Sequence, residues 1–143
     1  MLTLRSTSGA ELRNNWPWVE HGIQTIIRKT GSEFIAADIY AAIMLKNLFL
    51  YWIVEDAYTI GFTVVSEADT AYNGAKSLYL DHTYVDTKYM RDGLLEDLDL
   101  AFGDLAVKCD CTSLEFNSPR MGWGRRLKRM GWKPYTVVYK RDL

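Results

Sequence analysis

The sequence predicts an α+β domain built on a mixed, mostly antiparallel central sheet with helices over its faces. Three observations carry this. Three strand-like runs, Leu48–Val54, Tyr58–Val65 and Leu78–Val85, succeed one another with polar joints between them. Helical periodicity precedes and follows that block instead of alternating with each strand. A strand–helix–strand unit then follows, which makes the sheet mixed in direction.

Leu2–Arg5 alternates apolar and polar residues and reads as a short edge strand. Ser6–Gly9 is a turn in which Ser8 caps a helix beginning near Ala10. Trp16-Pro17-Trp18 is expected to kink or restart that helix, because proline lacks the backbone donor and restricts its predecessor. Val19, Ile23, Ile26 and Ile27 restore an apolar face, Gly31 ends the element, and Ser32 is placed to cap the next. The second helix covers Glu33–Lys46. Phe34, Ala37, Ala41, Met44 and Leu45 share one side with Ile35, Ile39 and Ile43 flanking, so most of its circumference is expected to be buried. Leu48–Val54 reverses at Glu55-Asp56-Ala57 into Tyr58–Val65, a hairpin whose Gly61 predicts a bulge or a close approach by another backbone.

Ser66–Lys76 is polar and contains Asn73-Gly74, a turn signal. The strand Leu78–Val85 follows, then a polar loop, Asp86–Asp92, closed by Gly93. A helix then runs to about Lys108, with Leu94, Leu98, Ala101, Phe102 and Leu105 at helical spacing. Ser113–Phe116 is a short strand and Asn117-Ser118-Pro119 a loop. Met121–Met130 is a basic helix capped by Gly131, and Tyr135–Lys140 is the last strand. The order is β-α-α-β-β-β-α-β-α-β. No repeat, linker or low-complexity tract divides it, so residues 1–143 read as one domain.

With 143 residues and 48% apolar content, the chain can bury a core and is not expected to be disordered. A net charge of −1 argues neither for nor against nucleic acid. The charge is uneven: Arg120–Arg141 holds eight Lys/Arg and no acid, while Asp92–Asp110 is mostly acidic. Cys109 and Cys111, with no His nearby, read as reduced thiols at a helix end, and no metal site is expected. The first residues lack the apolar core of a signal peptide, and Leu48–Val54 is too short to span a bilayer. A soluble protein of a reducing, cytoplasmic compartment is expected, with no membrane partner.

Chemistry is expected along Leu78–Leu98. A strand passing through a tight loop into a helix start aims free backbone N–H groups at one point, which suits an anion, commonly a phosphate. Two occupants compete for those amides: an incoming phosphate, or the carboxylate of Asp92 acting as the helix cap. Asp86, Asp92, Glu96, Asp97 and Asp99, against Lys88 and Arg91, also repel a polyanion.

The element order and three local matches resemble the GCN5-related N-acetyltransferase (GNAT) superfamily, over nearly the whole chain. IVEDAYTIGF at Ile53–Phe62 is similar to its second and third strands, and VDTKYMRDGLL at Val85–Leu95 to its acetyl-coenzyme A loop. Leu127-Lys128-Arg129-Met130-Gly131-Trp132, with the strand after it, is similar to its closing helix and Gly-aromatic pair. In the loop, Val85, Asp86, Tyr89 and Gly93 match the usual pattern. Thr87 stands for its proline, Met90 for its Arg/Gln and Leu95 for its last glycine. The resemblance implies an acyl-coenzyme A N-acyltransferase fold and acetyl transfer to a primary amine. It places the coenzyme against Tyr84, Val85, Tyr89, Met90, Arg91, Asp92, Gly93 and Leu94, with Asn117 on its pantetheine arm.

Acetyl transfer needs a base for the amine, donors for the oxyanion and a proton for the thiolate. By resemblance the backbone near Tyr84 and Val85 serves the oxyanion, and Asp81, His82 and Glu115 are the candidate bases. His82 titrates closest to neutrality, and its alternation with Leu78 and Leu80 points it inward, as base or as hydrogen-bonded core histidine. Glu115 alternates with Leu114 and Phe116 and is expected to face solvent. The family's acid is a Tyr just before the Gly-aromatic pair; Leu127 stands there, with Tyr135 and Tyr139 nearby on the last strand. Trp16 and Trp18 either line an acceptor pocket or pack as core.

The basic helix, with Arg120, Arg125, Arg126, Lys128 and Arg129, is a solvated face or meets the coenzyme's 3′-phosphate, a nucleic acid or an acidic protein. Trp123 and Trp132 flank it without forming a stacking platform, so nucleic acid is not the expected partner. The alternative function is a catalytically silent copy of the fold, a structural or interaction module that forms oligomers or larger assemblies. The chain also resembles acetyltransferase-like proteins of tailed phages, which adds the virion as an alternative location.

Overall fold

The computed structural model describes residues 1–70, 74–118 and 124–143. Five strands form one sheet: β1 (Leu2–Ser6), β2 (Phe49–Glu55), β3 (Tyr58–Thr70), β4 (Ala75–Val85) and β5 (Ser113–Glu115), neighbours in that order. The helices are α1 (Gly9–Thr30), α2 (Ala36–Met44), α3 (Leu94–Lys108) and α4 (Gly124–Arg129). Strands β1 to β4 pair antiparallel and β5 joins β4 in parallel, so the α+β class and the mixed sheet are as the sequence pattern predicts.

Two layers cover the sheet. Leu12, Val19 and Ile23 of α1 and Ala36, Ile39 and Ile43 of α2 pack on Leu50, Trp52, Phe62 and Val64. On the other face Leu94, Leu98 and Phe102 of α3 meet Ile53, Ile60 and Val85, and its Leu105 and Ala106 meet Val65 and Leu78.

Helix α1 continues through Pro17, so the chain does not restart a helix there. A proline inside a helix costs about 3 kcal/mol. Leu12, Val19 and Ile23 are each 0% exposed, and full burial of such side chains contributes roughly 1.5–3 kcal/mol apiece. Packing on both sides of Pro17 therefore outweighs the lost bond. Ser8 caps the helix as expected, its Oγ accepting from the Glu11 amide at 3.1 Å. Ser8→Ala is expected to cost about 1 kcal/mol, measurable as a lower midpoint in a denaturant titration.

Helix α2 is shorter than Glu33–Lys46 and uses a different face. Its N-cap is Ile35, with no side-chain cap; Ser32 Oγ instead pairs with Thr30 Oγ1 at 2.6 Å. Ile39 and Ile43 are buried with Ala36, whereas Phe34, Ile35, Met44 and Leu45 are exposed. Nine residues give one buried stripe, not the broad apolar surface the composition suggested.

The hairpin β2–β3 turns at Asp56 and Ala57, both at positive φ. The polar stretch Ser66–Lys76 is largely strand rather than loop, because Ser66–Thr70 zips onto Ala75–Tyr79. Asn73, and Pro119, Arg120, Met121 and Trp123 of the predicted loop and basic helix, lie outside the described residues. The predicted last strand is not formed. Tyr135–Lys140 has no ladder partner among the described residues, and Tyr135, Val137, Val138 and Tyr139 are 65–92% exposed. Strand propensity there is real, but it is realised only where a neighbouring strand pairs with it, and among the described residues none does.

Two register shifts shape the sheet. Ile53 pairs with Gly61 and Val54 with Thr59, which leaves Ile60 as an extra residue in β3. Val64 pairs with His82 and Val65 with Leu80, which leaves Asp81 as an extra residue in β4. Gly61 beside the first bulge also meets the expected close approach: a Cβ there would sit 2.1 Å from the Tyr84 carbonyl oxygen.

Candidate active site

The bulge at Asp81 decides which way the β4 side chains point. Strict alternation would put His82 on the face of Leu78 and Leu80. The extra residue turns it over: Leu78 and Leu80 pack on the α3 side, while Tyr84 joins the α1 side. His82 lies against Phe34, ring centroids 4.6 Å apart, in the segment before α2. It is half-buried and points inward as expected, but on the opposite face. Its Nδ1 is buried without a partner among the described residues, and burial lowers its pKa from the ordinary 6.5. The imidazole is thus held neutral.

Asp81 is half-buried and accepts a hydrogen bond from Ser66 Oγ at 2.7 Å. Burial raises its pKa, and the Ser66 bond partly offsets that rise. Glu115 is half-buried rather than solvent-facing. It ends β5 opposite Tyr79, a residue that sequence reasoning passed over. Burial raises the pKa of the Tyr79 hydroxyl, with Asp81 and Glu115 adding to the rise, while Asn117 donates to it from main chain and side chain. Asp81, Glu115 and Asn117 therefore gather around Tyr79, while the His82 ring packs on Phe34. Asp81, Glu115 and Asn117 are candidates by resemblance already; Tyr79 joins them only through the pairing register, since nothing in its local sequence marks it.

A wedge opens where β4 and β5 part. The two strands pair only at Ser77–Tyr79 against Ser113–Glu115. From Leu80 to Val85, β4 has no described strand on that edge, and the wedge leads to the start of α3. There Asp86 Oδ1 accepts from the Lys88 amide at 3.2 Å and closes a 3-10 turn over Thr87–Tyr89. Tyr89 is half-buried in the α3-side core and Met90 is exposed.

The cap expected of Asp92 is not there. Gly93 is the N-cap of α3, at φ +78, and no side chain caps the helix. With Gly93 left-handed, Asp92 is one residue too early to reach the first-turn amides. The Leu94 amide reaches Arg91 O at 3.4 Å and the Asp97 amide reaches Gly93 O at 3.0 Å. Among the described residues no partner is seen for the amides of Leu95 and Glu96.

The acids here are also less exposed as charges than the sequence suggested. Arg91 Nε donates to Glu55 Oε1 at 2.9 Å and Arg91 Nη2 to Asp97 Oδ2 at 2.6 Å, which raises the guanidinium pKa further. Arg126 pairs with Glu96 at 3.2 Å, and Asp99 accepts from Trp132 Nε1 at 2.7 Å. Arg91 is thus a tie between the β2–β3 hairpin and α3. Glu55 and Ser66 were missed because their partners lie across the fold.

Beside the first turn of α3 lies an open depression of about 620 Å³, lined by Glu96, Arg125, Arg126, Arg129 and Met130. Arg125 and Arg129 form no ion pair among the described residues. A phosphorylated ligand would find backbone N–H groups and guanidinium groups side by side there. On the α1 face, Trp18 meets Phe62 and Tyr84 edge-on and Trp52 at a tilt, and lines a smaller hollow of about 310 Å³ with Arg5, Glu11, Asn15, Trp52 and Thr59. Trp16 packs on Tyr40 instead. Tyr135 and Tyr139 are exposed in the last segment, and Leu127 is half-buried. Cys109 and Cys111 are free thiols whose pKa values burial raises. No helix of the described residues is long and apolar enough to cross a membrane.

No protein-family model and no curated protein matches the chain. Solved structures do. A possible acetyltransferase from Clostridium difficile 630 superposes with TM-score 0.77 at 10% identity, over 100% of this chain and 98% of that one. An aminoglycoside acetyltransferase from an uncultured soil metagenomic sample, in complex with sisomicin, gives 0.69 at 11% identity over 99% and 96%. A GNAT family acetyltransferase from Staphylococcus aureus gives 0.68 at 12% identity over 99% and 98%. The chain has the fold of the GNAT acetyltransferases.

Proposed function

We propose that this protein transfers an acetyl group from acetyl-coenzyme A to a primary amine. The observation that carries the reading is the uncapped start of α3 at the end of the bare β4 edge, with Arg125 and Arg129 beside it. Gly93 and the amides of Leu95 and Glu96 would hold the diphosphate, and Arg125 and Arg129 the remaining phosphate charge. The open edge of β4 from Leu80 to Val85 would hold the amide-bearing arm in the wedge, with Asn117 and Tyr79 at its narrow end. The coenzyme supplies an acyl group activated as a thioester. His82, kept neutral by burial, is the candidate to take the amine's proton. Asp81 and Glu115 are candidates to position the amine. The Tyr79 hydroxyl, kept protonated, is placed to return a proton at the wedge. The amine class is supported by the aminoglycoside acetyltransferase among the structures of this fold.

Acetyl-coenzyme A is expected to raise thermal stability. At 100 times its dissociation constant the gain is about 2.7 kcal/mol, with coenzyme A lacking the acetyl group as a comparison. No shift at millimolar concentration removes the enzymatic reading. It would leave the second one, a silent copy of the fold used for assembly, which the departures Thr87, Met90 and Leu95 and the exposed last segment favour.

A further inference from the structure

The smaller hollow, on the α1 side of the sheet, is lined by none of Tyr79, Asp81, His82 or Glu115. Glu11, Asn15 and Trp18 fall at helical spacing on one flank of α1. Another flank meets α2, where Trp16 packs on Tyr40. Three strands supply the floor: Arg5 of β1 opposite Trp52 of β2, and Thr59 of β3. The space enclosed is about 310 Å³, at the low end of small-molecule sites, which run from about 300 to 1,000 Å³. That suits a single ring rather than a nucleotide.

Trp52 is 2% exposed, and its Nε1 has no acceptor among the described residues. Phenylalanine would fill the same core position without a buried N–H to satisfy; the indole brings a donor to the lining of the hollow. Charge cancels there. Arg5 Nη1 donates to both carboxylate oxygens of Glu11 at 3.0 Å, and Thr7 Oγ1 donates to Glu11 Oε1 at 3.4 Å. The tied pair offers no net charge to an anion or an ammonium group. Asn15 spends its Nδ2 on Glu11 O at 2.8 Å, which leaves its Oδ1 as an acceptor. The exposed Thr59 hydroxyl makes no hydrogen bond among the described residues. Trp18, half-buried, adds an aromatic wall tilted 34° from Trp52, with ring centroids 6.3 Å apart.

We propose that this hollow binds one neutral, hydroxyl-bearing ring, the chemistry of a single sugar unit. A hydroxyl both donates and accepts. It answers the Trp52 N–H on one side and Asn15 Oδ1 or Thr59 Oγ1 on the other, while the C–H face of the ring packs on Trp18. The alternatives fit less well. A hydrocarbon of that size would leave the polar lining unpaired, a phosphate would meet Glu11, and an ammonium group would meet Arg5. The proposal does not depend on acetyl transfer, and its test involves no coenzyme.

The probes are D-glucose, D-galactose and D-mannose, titrated into the full chain and followed through the indole N–H resonances by two-dimensional NMR. Saturable movement of the Trp52 resonance is expected with at least one of them at millimolar concentration. Glucose 6-phosphate and glucosamine carry the same ring with one charge added, and should move that resonance more weakly than glucose does. Asn15→Ala with Thr59→Val alters two exposed side chains outside the core and is expected to weaken sugar binding about 10-fold. The unfolding midpoint of that variant should stay close to the parent's, which separates a lost contact from a lost fold. A Trp52 resonance that no hexose moves overturns the proposal. So does a charged analogue that binds more tightly there, or an affinity unchanged in the double variant.

Discussion

Gly61→Ala is expected to destabilise the fold by about 3 kcal/mol or more, lowering the melting midpoint by about 10 °C. The added methyl would meet the Tyr84 carbonyl oxygen at 2.1 Å, with the Tyr84 carbonyl carbon and the Val85 Cα each at 3.0 Å. All three are main-chain atoms in the paired strand, so no rotamer change relieves the clash. Relief requires moving β4 away from β3 where the site begins. Gly103→Ala in α3 is the control. A Cβ there meets nothing within 4 Å, and alanine is better than glycine inside a helix by about 1 kcal/mol. That variant should be neutral or more stable; equal destabilisation of both would show that the Gly61 contact is not the cause.

His82→Ala is expected to lower the acetyl-transfer rate by about 100- to 10,000-fold, the usual contribution of a general base. The pH dependence separates this from a packing defect. Burial lowers the His82 pKa below 6.5, so the rate should rise through a pKa under 6.5 and stay level above it, and the variant should lose that limb. Stability is linked with a definite sign. The unfolded chain binds the proton first as pH falls below 6.5, so the folded form of the parent loses stability on acidification from there downward. His82→Ala should lack that component. Asp81 works in the opposite sense: its raised folded pKa means that stability falls as pH rises from 3.8 through that value. A rate unchanged in His82→Ala would remove His82 from the reaction and leave Asp81 or Glu115.

Much of the frame was legible in the sequence because each signal had a local cause. Ser8 could cap only the helix that follows it, and Gly61 in a strand pointed to a bulge or a close backbone approach, both of which occur there. Asp56 and Ala57 marked a reversal by their position between two apolar runs. What failed depended on partners elsewhere. The face of His82 turned on one extra residue, Asp81, that no alternation count reveals. The continuity of α1 across Pro17 was set by the sheet beneath it. Asp92 had the chemistry of a cap, yet the left-handed residue at the helix start was Gly93, one step later. Tyr135–Lys140 had the composition of a strand, but pairing requires an edge, and composition says nothing about where one is free.

The join between β4 and β5 is three residues long, while β3 and β4 are matched over ten positions. Such a sheet does not loosen evenly. Its cheapest partial opening is at the last seam, where β5 can part from β4 while the antiparallel four strands stay closed. Entry of a long, thin molecule would then require no rearrangement of the core, only a brief fraying of the shortest ladder in the protein.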